Sequence, residues 1–494
     1  MRALFTYLIL LTLSGPVAAQ FVRELPDVGQ TERFSDPAYG GYSARRVLPA
    51  RTHADGFDAN LRYELEGTWG MFYREDDVRL PTDSLPDLEA EDWAYKQLQV
   101  PGTWDRQHTE LFDKQMPVYL RYKFQYDPNE HPQHLPILQS EGIFREASVW
   151  LNGQLLGEFD LPYLPFAFPL WDALQAGSNT LVIRIDNRLT FDDLPVATQF
   201  HDGKHGWFPY GGLYRPIYIE HLPPIYPQKV LFETSDNTRL DLWVQLQNLT
   251  DRKQMLQVEL GEVRDDETRP LDQVVISTPA TPAQSDGQHD WASGQEWVKY
   301  SKRFRKTPPW DVDNPGNVQT YYLKISRPTA GGGFKSLATY TYNWAFKQFE
   351  LQEGGQFRLN DYPIVLKGMN RHEDHYLLGP RYTDNLLDSD VGFMKSMEVN
   401  FCRPGHYPND VRVLQKMEQS GILLVEEIPV YQLNKQQMAD PHLIAQSKAS
   451  LHRMIIRDFN RPGICMWSLG NEVHYWRKSA RTFMQTLHEY ARQL

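Results

Sequence analysis

Four clusters of polar side chains follow directly on apolar, strand-like runs in the last third of the sequence. The clusters are residues 370–375, 403–408, 426–429 and 468–472, and the apolar runs are residues 364–366, 399–402, 422–425 and 464–467. The clusters contain carboxylates, imidazoles and guanidinium groups, which are costly to bury unless they are paired or used. Four of them at comparable positions predict one composite site for acid–base chemistry. The alternative interpretation is a set of solvated loops with supporting salt bridges.

Helical patterns separate these apolar runs. Helices are predicted near 385–398, 409–419 and 442–459, with Gly421 as the stop of the second. A last helix has Ala480, Phe483 and Leu487 on one face. Alternating strands and helices indicate a parallel β/α domain, in which reactive side chains lie at the carboxyl ends of the strands. A complete (β/α)8 TIM barrel takes eight such units, and residues 355–494 supply about four of them.

The preceding sequence predicts two all-β domains. Residues 65–222 are rich in strands and turns, with a hairpin turn at Asn152-Gly153, and they are predicted to form a jelly-roll β-sandwich. Prolines at 223, 224 and 227 predict a linker. Residues 229–345 contain a period-two strand at 240–246 and another strand at 320–325, and their length suits an immunoglobulin-like β-sandwich, in which 265–294 is expected to be a loop.

The N-terminus resembles an export signal. Residues 1–19 contain Arg2, an apolar run over 4–13 and small residues before Gln20, and residues 20–64 are predicted to be a leader. This pattern predicts a secreted protein, periplasmic or extracellular, with a cleavable signal peptide; a buried helix or an uncleaved anchor is the alternative. The apolar run is too short to cross a bilayer, so no membrane span is predicted. The two cysteines, Cys402 and Cys465, are predicted to be buried free thiols rather than a disulfide.

Overall charge and composition indicate which kinds of binding partner to expect. The formal net charge is −12 and the isoelectric point is about 5.7, so nucleic acid is not an expected partner. Aromatic residues make up 13% of the chain, which suits sugar-binding clefts and β-rich packing equally well.

Four segments carry a resemblance to glycoside hydrolase family 2, the group of β-galactosidases, β-glucuronidases and β-mannosidases. The segments read NFCRPGHYP at 400–408, WSLGNE at 467–472, KGMNRHED at 367–374 and PYGGLYR at 209–215. The resemblance covers residues 65–494 and implies the same domain order of sandwich, immunoglobulin-like domain and barrel. It also implies a double displacement by two carboxylates.

The resemblance assigns roles to five residues. Glu472 matches the acid/base and Asn471 the residue that holds the sugar 2-hydroxyl. His372, Arg403 and His406 match positions that line the sugar subsite, with structural hydrogen bonding beneath the site as the alternative. No cofactor is expected.

Two departures from the family pattern affect metal binding and sugar preference. Tyr431 and Leu433 stand where some metal-assisted galactosidases have a Glu and a His, so no metal is predicted. Gly206 stands where well-studied members have an Asp that reaches the active site, with Asp202 as a candidate substitute. The choice between galactoside and glucuronide therefore stays open.

The resemblance places the nucleophile on the seventh barrel strand, and no nucleophile is predicted in this chain. Glu489 is the one carboxylate after Glu472, and it falls in the last helix. Glu427 and Glu373, on neighbouring strands, would approach the sugar from the wrong side. Half a barrel also leaves open sheet edges, so the sequence predicts aggregation, pairing with another half, or a C-terminally truncated portion of a longer product.

Three functional hypotheses follow. The first is an exo-acting retaining β-glycosidase that hydrolyses terminal β-linked sugars of oligosaccharides or glycosides, with β-galactosides or β-glucuronides as substrates. The second is a catalytically inactive glycan-binding protein. The third is one half of a split enzyme, completed by a separate polypeptide. The sequence leaves the oligomeric state open, a homo-oligomer included.

Overall fold

The computed structural model describes residues 8–9, 36, 47–48, 51–56, 61–74, 84–90, 93–197, 206–236, 238–281, 294–303 and 307–494. The predicted signal peptide and leader lie largely outside these residues. In the described part of the chain, two regions of antiparallel sheet precede one parallel sheet with helices.

The first antiparallel region has a six-stranded, a four-stranded and a two-stranded sheet. The six-stranded sheet has the spatial order Ala94–Val100, Gly67–Tyr73, Pro117–Tyr126, Gly177–Asp186, Glu146–Leu151 and Gln154–Phe159. The four-stranded sheet has the order Phe166–Pro169, Leu135–Ser140, Ile217–Leu222 and Arg62–Glu64. The two-stranded sheet pairs Gly212–Leu213 with Gly102–Thr103, and two short helical turns follow at Trp104–Gln107 and Thr109–Leu111.

The second antiparallel region has a three-stranded and a four-stranded sheet. Their orders are Ile225–Asp236, Arg239–Asn248 and Gln295–Arg303, then Glu267–Thr278, Gln254–Arg264, Gln319–Pro328 and Phe334–Trp344. A three-stranded meander, Phe349–Leu351, Phe357–Leu359 and Tyr362–Pro363, leads into the parallel sheet.

Two expectations for this region need correction. Of the predicted linker, Pro227 lies within the strand Ile225–Asp236, which is at a sheet edge and has a register shift between Pro227 and Lys229, whereas Pro223 and Pro224 connect this strand to Ile217–Leu222. A bulge on an edge strand tolerates a proline because no partner needs its missing N–H. The predicted loop at 265–294 contains the strand Glu267–Thr278, also at an edge, whose exposed charged face hides the period-two pattern.

The parallel sheet contains four strands in chain order: β1 (Gly368–Arg371), β2 (Phe401–Pro404), β3 (Leu423–Glu427) and β4 (Ile464–Ser468). The predicted bounds of the last three are close to those observed. The first prediction, residues 364–366, is wrong, because these apolar residues precede the strand and its pairing begins at Gly368 with Phe401. Leu8–Ile9 pair antiparallel with β4 at Trp467 and Ser468.

Four helices alternate with these strands: α1 (Asp384–Ser396), α2 (Val411–Gln419), α3 (Pro441–Asp458) and α4 (Lys478–Ala491). A 3-10 turn, Gln437–Ala439, precedes α3. The side chains of Asp410 and Asp440 cap α2 and α3, accepting the N–H of Arg412 and of His442. Gly421, with a φ of 71°, follows α2 and confirms the predicted stop.

The hydrophobic core joins the first antiparallel region to the β/α region in one cluster, which includes Trp69, Ile183, Leu424 and Leu487. The predicted apolar face of α4 is buried in it. Cys402 and Cys465 are both free; Cys402 is buried and Cys465 half-buried. In the described part of the chain, no helix is long and apolar enough to cross a membrane.

Candidate active site

The five predicted site residues lie at or just beyond the carboxyl ends of the parallel strands. Strand register places Arg371 beside Pro404, and Glu427 beside Ser468. Since the strands are parallel, the loops that follow them meet at one rim of the sheet. The structure therefore brings together side chains that are about a hundred residues apart in sequence.

Glu427 is the centre of the hydrogen-bond network at this rim. Its side chain is 0% exposed and accepts hydrogen bonds from Arg403 Nε (3.0 Å) and Nη2 (2.6 Å), His406 Nδ1 (2.8 Å) and Ser468 Oγ. Burial raises the pKa of Glu427, but the His406 hydrogen bond and the Arg403 charge outweigh it and hold the pKa below its usual range. Glu427 is thus a fixed anion that orients two of the predicted site residues.

Asn471 is oriented by the same network. Its Oδ1 accepts a hydrogen bond from Arg403 Nη2 at 3.0 Å, and its backbone N–H donates to Val430 O at 2.8 Å. Because a guanidinium can only donate, the contacting atom must be the amide oxygen. The NH2 group of Asn471 therefore remains available to a ligand.

Glu472 is exposed, and its carboxylate is held by the loop after β3. Gln432 Nε2 donates to Glu472 Oε2 at 2.5 Å, and the Tyr431 hydroxyl also bonds to this carboxylate. Residue 472 has a φ of 50°, a left-handed conformation that is uncommon outside glycine. An accessible carboxylate of this kind can donate and accept a proton at a bound molecule.

His372 lies beside His406, with ring centroids 5.2 Å apart. Burial lowers the pKa of His372, and the neighbouring His406 lowers it further. Its Nδ1 is buried without a hydrogen-bond partner among the described residues. His372 is therefore a neutral imidazole with an unused ring nitrogen at the rim.

A buried ion pair connects the first antiparallel region to this rim. Arg215 Nη2 donates to Glu373 Oε2 at 2.7 Å, and each side chain is 1% exposed. Arg215 also donates to the carbonyl oxygens of Pro408 (2.8 Å) and Tyr163 (2.5 Å), while Glu373 Oε1 accepts the N–H of Asp410 (2.5 Å). The motif at 209–215 thus fixes the loop that carries His372.

Trp207 is the main residue that the sequence analysis missed. Its ring centroid lies 5.3 Å from Tyr407, 5.5 Å from Tyr431, 5.7 Å from His406 and 6.1 Å from His372. Its Nε1 donates to the Tyr163 hydroxyl at 2.8 Å. The available signal was its place just before the motif at 209–215. Trp207 forms an aromatic wall over the two histidines.

The structure shows how the residues at 206, 431 and 433, which depart from the family pattern, are packed. A Cβ on Gly206 would lie 2.7 Å from the Tyr431 hydroxyl oxygen, so Tyr431 occupies the space that a larger residue at 206 would need. Leu433 is 0% exposed in the core. Asp202 lies outside the described residues. Where the structure describes the chain, no group of three or more His, Cys, Asp or Glu could hold a metal ion.

The other carboxylates considered in the sequence analysis are already engaged. Glu427 and Glu373 lie in the buried networks described above. Glu489 lies on α4 and accepts a hydrogen bond from Gln485 Nε2 at 2.8 Å. A cavity of about 980 Å³ lies elsewhere, beside Lys347, Phe349 and Ile464 at the amino end of β4, and contains none of the five predicted site residues.

Antiparallel sheets followed by β/α units, with an exposed carboxylate at the strand ends, are the arrangement of a barrel-type glycoside hydrolase. Residues 349–494 match the family model described as the TIM barrel domain of glycosyl hydrolases family 2. The β/α region of the chain therefore matches the barrel domain of this family.

The chain is similar over most of its length to curated proteins named as β-glucuronidase or β-galactosidase. A protein of Formosa agariphila, provisionally named a β-glucuronidase, is 26% identical over 458 residues, covering 89% of this chain and 50% of the relative. A β-galactosidase of Photobacterium profundum is 26% identical over 453 residues, covering 85% of this chain and 40% of the relative. The chain thus spans about half the length of the curated relatives it matches or less.

Solved structures share the fold. A β-glucuronidase of Bifidobacterium dentium complexed with coumarin-3-O-glucuronide has a TM-score of 0.73 and 22% identity, covering 90% of this chain and 74% of that one. A β-galacturonidase of Eisenbergiella tayi bound to galacturonate has a TM-score of 0.69 and 21% identity, covering 90% of this chain and 71% of that one.

Proposed function

We propose that this chain carries the acid/base half of an exo-acting retaining β-glycosidase, with Glu472 as the proton donor. The observation that supports this most is the network at the rim, in which Arg403 joins Glu427 to Asn471 beside the exposed Glu472 carboxylate. Asn471 is held with its NH2 group available next to the residue that would move the proton.

Glu472 serves two steps in this proposal. As an acid it protonates the leaving oxygen of the glycoside, and as a base it later takes a proton from the attacking water. Asn471 holds the sugar 2-hydroxyl, a contact that strengthens as the ring becomes oxocarbenium-like. His372 and His406 contact the sugar from the rim, with Trp207 covering an apolar face, and Arg403 keeps Asn471 in position.

The nucleophile in this proposal comes from polypeptide beyond these 494 residues, either in one longer chain or in a complementing one. A retaining pair has its carboxyl groups about 5–5.5 Å apart on opposite sides of the sugar. Glu427 and Glu373 are unsuitable because both are buried and held by arginines. The coverage of 40 to 50% of the curated relatives is consistent with this assignment.

The substrate class is a terminal β-linked galactoside or glucuronide. The curated relatives are named for these two sugars, and two structures of the same fold contain a glucuronide or galacturonate. We assign residues 65–222 to a jelly-roll sandwich, 229–345 to an immunoglobulin-like sandwich and 355–494 to the barrel. Export by the segment at 1–19 and action outside the cytoplasm belong to the same proposal.

The coding DNA downstream of codon 494 provides the first test. We expect an open reading frame, in any register, that encodes further β/α units with a Glu at a strand end. The protein produced with that region should release nitrophenol from a nitrophenyl β-galactoside or β-glucuronide, whereas the 494-residue chain alone should not. Glu472→Gln should lower kcat by about 10²- to 10⁴-fold, and the control Glu489→Gln should leave it unchanged.

A glycan-binding function would give a different set of results. The downstream DNA would then encode no such carboxylate, and calorimetry on the chain alone would show saturable sugar binding. Nitrophenol release by the chain alone that Glu472→Gln abolishes would contradict the assignment of the nucleophile to another segment.

A further inference from the structure

The Glu472 carboxylate receives hydrogen bonds from two neighbouring side chains of the loop after β3. Gln432 Nε2 lies 2.5 Å from Glu472 Oε2, and the Tyr431 hydroxyl bonds to the same carboxylate. Among the described residues, these are the side chains that hydrogen-bond to Glu472. Both groups are neutral, and both donate.

The backbones of the two loops are joined at the same place. Tyr431 and Asn471 form an isolated parallel bridge, with Asn471 N–H donating to Val430 O at 2.8 Å and Gln432 N–H donating to Asn471 O at 3.4 Å. The position of the donors relative to Glu472 is therefore set by main-chain hydrogen bonds and not by flexible side chains alone.

Both loops have left-handed backbone at the contacting residues. Gln432 has a φ of 49° and Glu472 a φ of 50°, and neither is glycine. Such residues cost of order 1 kcal/mol or more and persist where the surroundings hold them. Gln432 and Glu472, the two residues with this strained backbone, are also the two whose side chains hydrogen-bond to each other. This coincidence favours a functional reason for the geometry.

The Tyr431 hydroxyl reaches Glu472 because position 206 has no side chain. Tyr431 is 6% exposed, and its ring lies 5.5 Å from Trp207 and stacks on His406 at 6.3 Å. A Cβ at residue 206 would approach the hydroxyl oxygen to 2.7 Å. The absence of a side chain at Gly206 thus leaves room for the Tyr431 hydroxyl to bond to the Glu472 carboxylate.

We infer that Tyr431 and Gln432 are the positioning residues of Glu472, holding its carboxylate at the rim through two neutral hydrogen-bond donors. The inference rests on the proposed function for its role in catalysis. Hydrogen bonds to an ionised carboxylate favour the ionised form. Tyr431 remains a donor at neutral pH because burial, together with the Glu472 charge, raises the pKa of its hydroxyl to about 12.

The charged groups that face this position have other partners. Arg403 donates to Glu427 and Asn471, and His406 donates to Glu427. His372 lies beside His406, and burial lowers its pKa and favours the neutral form. The local control of Glu472 therefore falls to Tyr431 and Gln432.

The carboxyl NMR signal of Glu472 at fixed neutral pH tests the inference without any turnover. The chain is labelled with [5-13C]glutamate, and the Glu472 signal is assigned as the one missing in Glu472→Gln. Tyr431→Phe and Gln432→Met should each move and broaden this signal, since each removes one of the two donors that hold the carboxylate. Gly206→Ala should have the same effect, because it displaces the hydroxyl while leaving Tyr431 in the chain.

Tyr475→Phe and Gln436→Met are matched controls. Tyr475 is on the same loop as Glu472 with its ring against Trp476, and Gln436 is exposed on the loop of Gln432. Neither change should move the Glu472 carboxyl signal. An unmoved signal in both Tyr431→Phe and Gln432→Met would overturn the inference, as would equal changes in the controls. Either single variant suffices for this test if the other fails to fold.

The outcome is separable from that of the proposed function. If the Glu472 carboxyl signal moves as expected but Glu472→Gln retains full activity in the extended protein, the positioning holds and the catalytic role fails. In an active extended protein, Tyr431→Phe and Gln432→Met should lower kcat while leaving KM unchanged, because they disturb the proton donor and not the sugar contacts. A merely structural role for Tyr431 would reduce the amount of folded protein without moving the Glu472 signal.

Discussion

The Arg215–Glu373 pair provides a quantitative test of how the first antiparallel region supports the catalytic rim. The change is a double-mutant cycle with Arg215→Met, Glu373→Met and both together. Methionine approximates the length of both side chains while removing the charge. The cycle measures the coupling between the two regions at the base of the site.

The expected losses in the free energy of unfolding follow from the contacts of Arg215 and Glu373. Each side chain is 1% exposed, so removing one partner leaves an uncompensated buried charge, which costs about 3–5 kcal/mol. Arg215→Met also removes the hydrogen bonds to the carbonyl oxygens of Pro408 and Tyr163, and these are lost in the double variant too. At about 1 kcal/mol each, they leave the double variant roughly as destabilised as one single variant. The coupling free energy should then equal the loss of the other single variant, about 3–5 kcal/mol.

Urea unfolding followed by tryptophan fluorescence measures the free energy of unfolding for the four proteins. The expected result is that the double variant loses clearly less than the sum of the two single losses. Additivity within about 0.5 kcal/mol would refute the reasoning, because it would mean that the two buried groups do not compensate each other's charge. A loss below about 1 kcal/mol in each single variant would contradict the assigned burial cost.

Three further predictions concern orientation, the aromatic wall and pH. In the extended protein, Arg403→Lys should weaken sugar binding by about tenfold in calorimetry, because a single ammonium cannot hold Glu427 and Asn471 together as the guanidinium does; an unchanged Kd would exclude this role. Trp207→Ala should also weaken binding by about tenfold through loss of the apolar wall, whereas Trp476→Ala, at an exposed ring, should not. Burial raises the pKa of Asp105 to about 7 against the opposing hydrogen bond from Gly211 N–H. A carboxyl pKa raised on folding makes stability fall as pH rises from about 4 to 7, so Asp105→Asn should flatten the unfolding temperature across this interval; an equal slope in both proteins would contradict it.

The order of the β and β/α regions could be predicted from sequence because each depends on short-range periodicity. Four helices and three of the four parallel strands follow from apolar spacing and from the helix stop at Gly421. The first strand was misplaced because apolar content does not set pairing register, and Gly368 begins the pairing only through Phe401. The charged edge strand Glu267–Thr278 was missed for a related reason: its sheet neighbour, and not its own pattern, makes it a strand.

The candidate site, like the fold, could be predicted from the sequence only in part. The sequence by itself determined that Glu472, Asn471, Arg403, His406 and His372 follow strand-like runs, since residue type and local spacing carry that information. Only the tertiary structure decided which of them touch. Arg403 joins Glu427 to Asn471, and Gln432 and Tyr431 hold Glu472, across strands that are distant in sequence. Trp207 and Gly206 take part because the motif at 209–215 is fastened to the rim through Arg215. Such contacts arise from packing between separate regions of the chain, and no local sequence pattern encodes them.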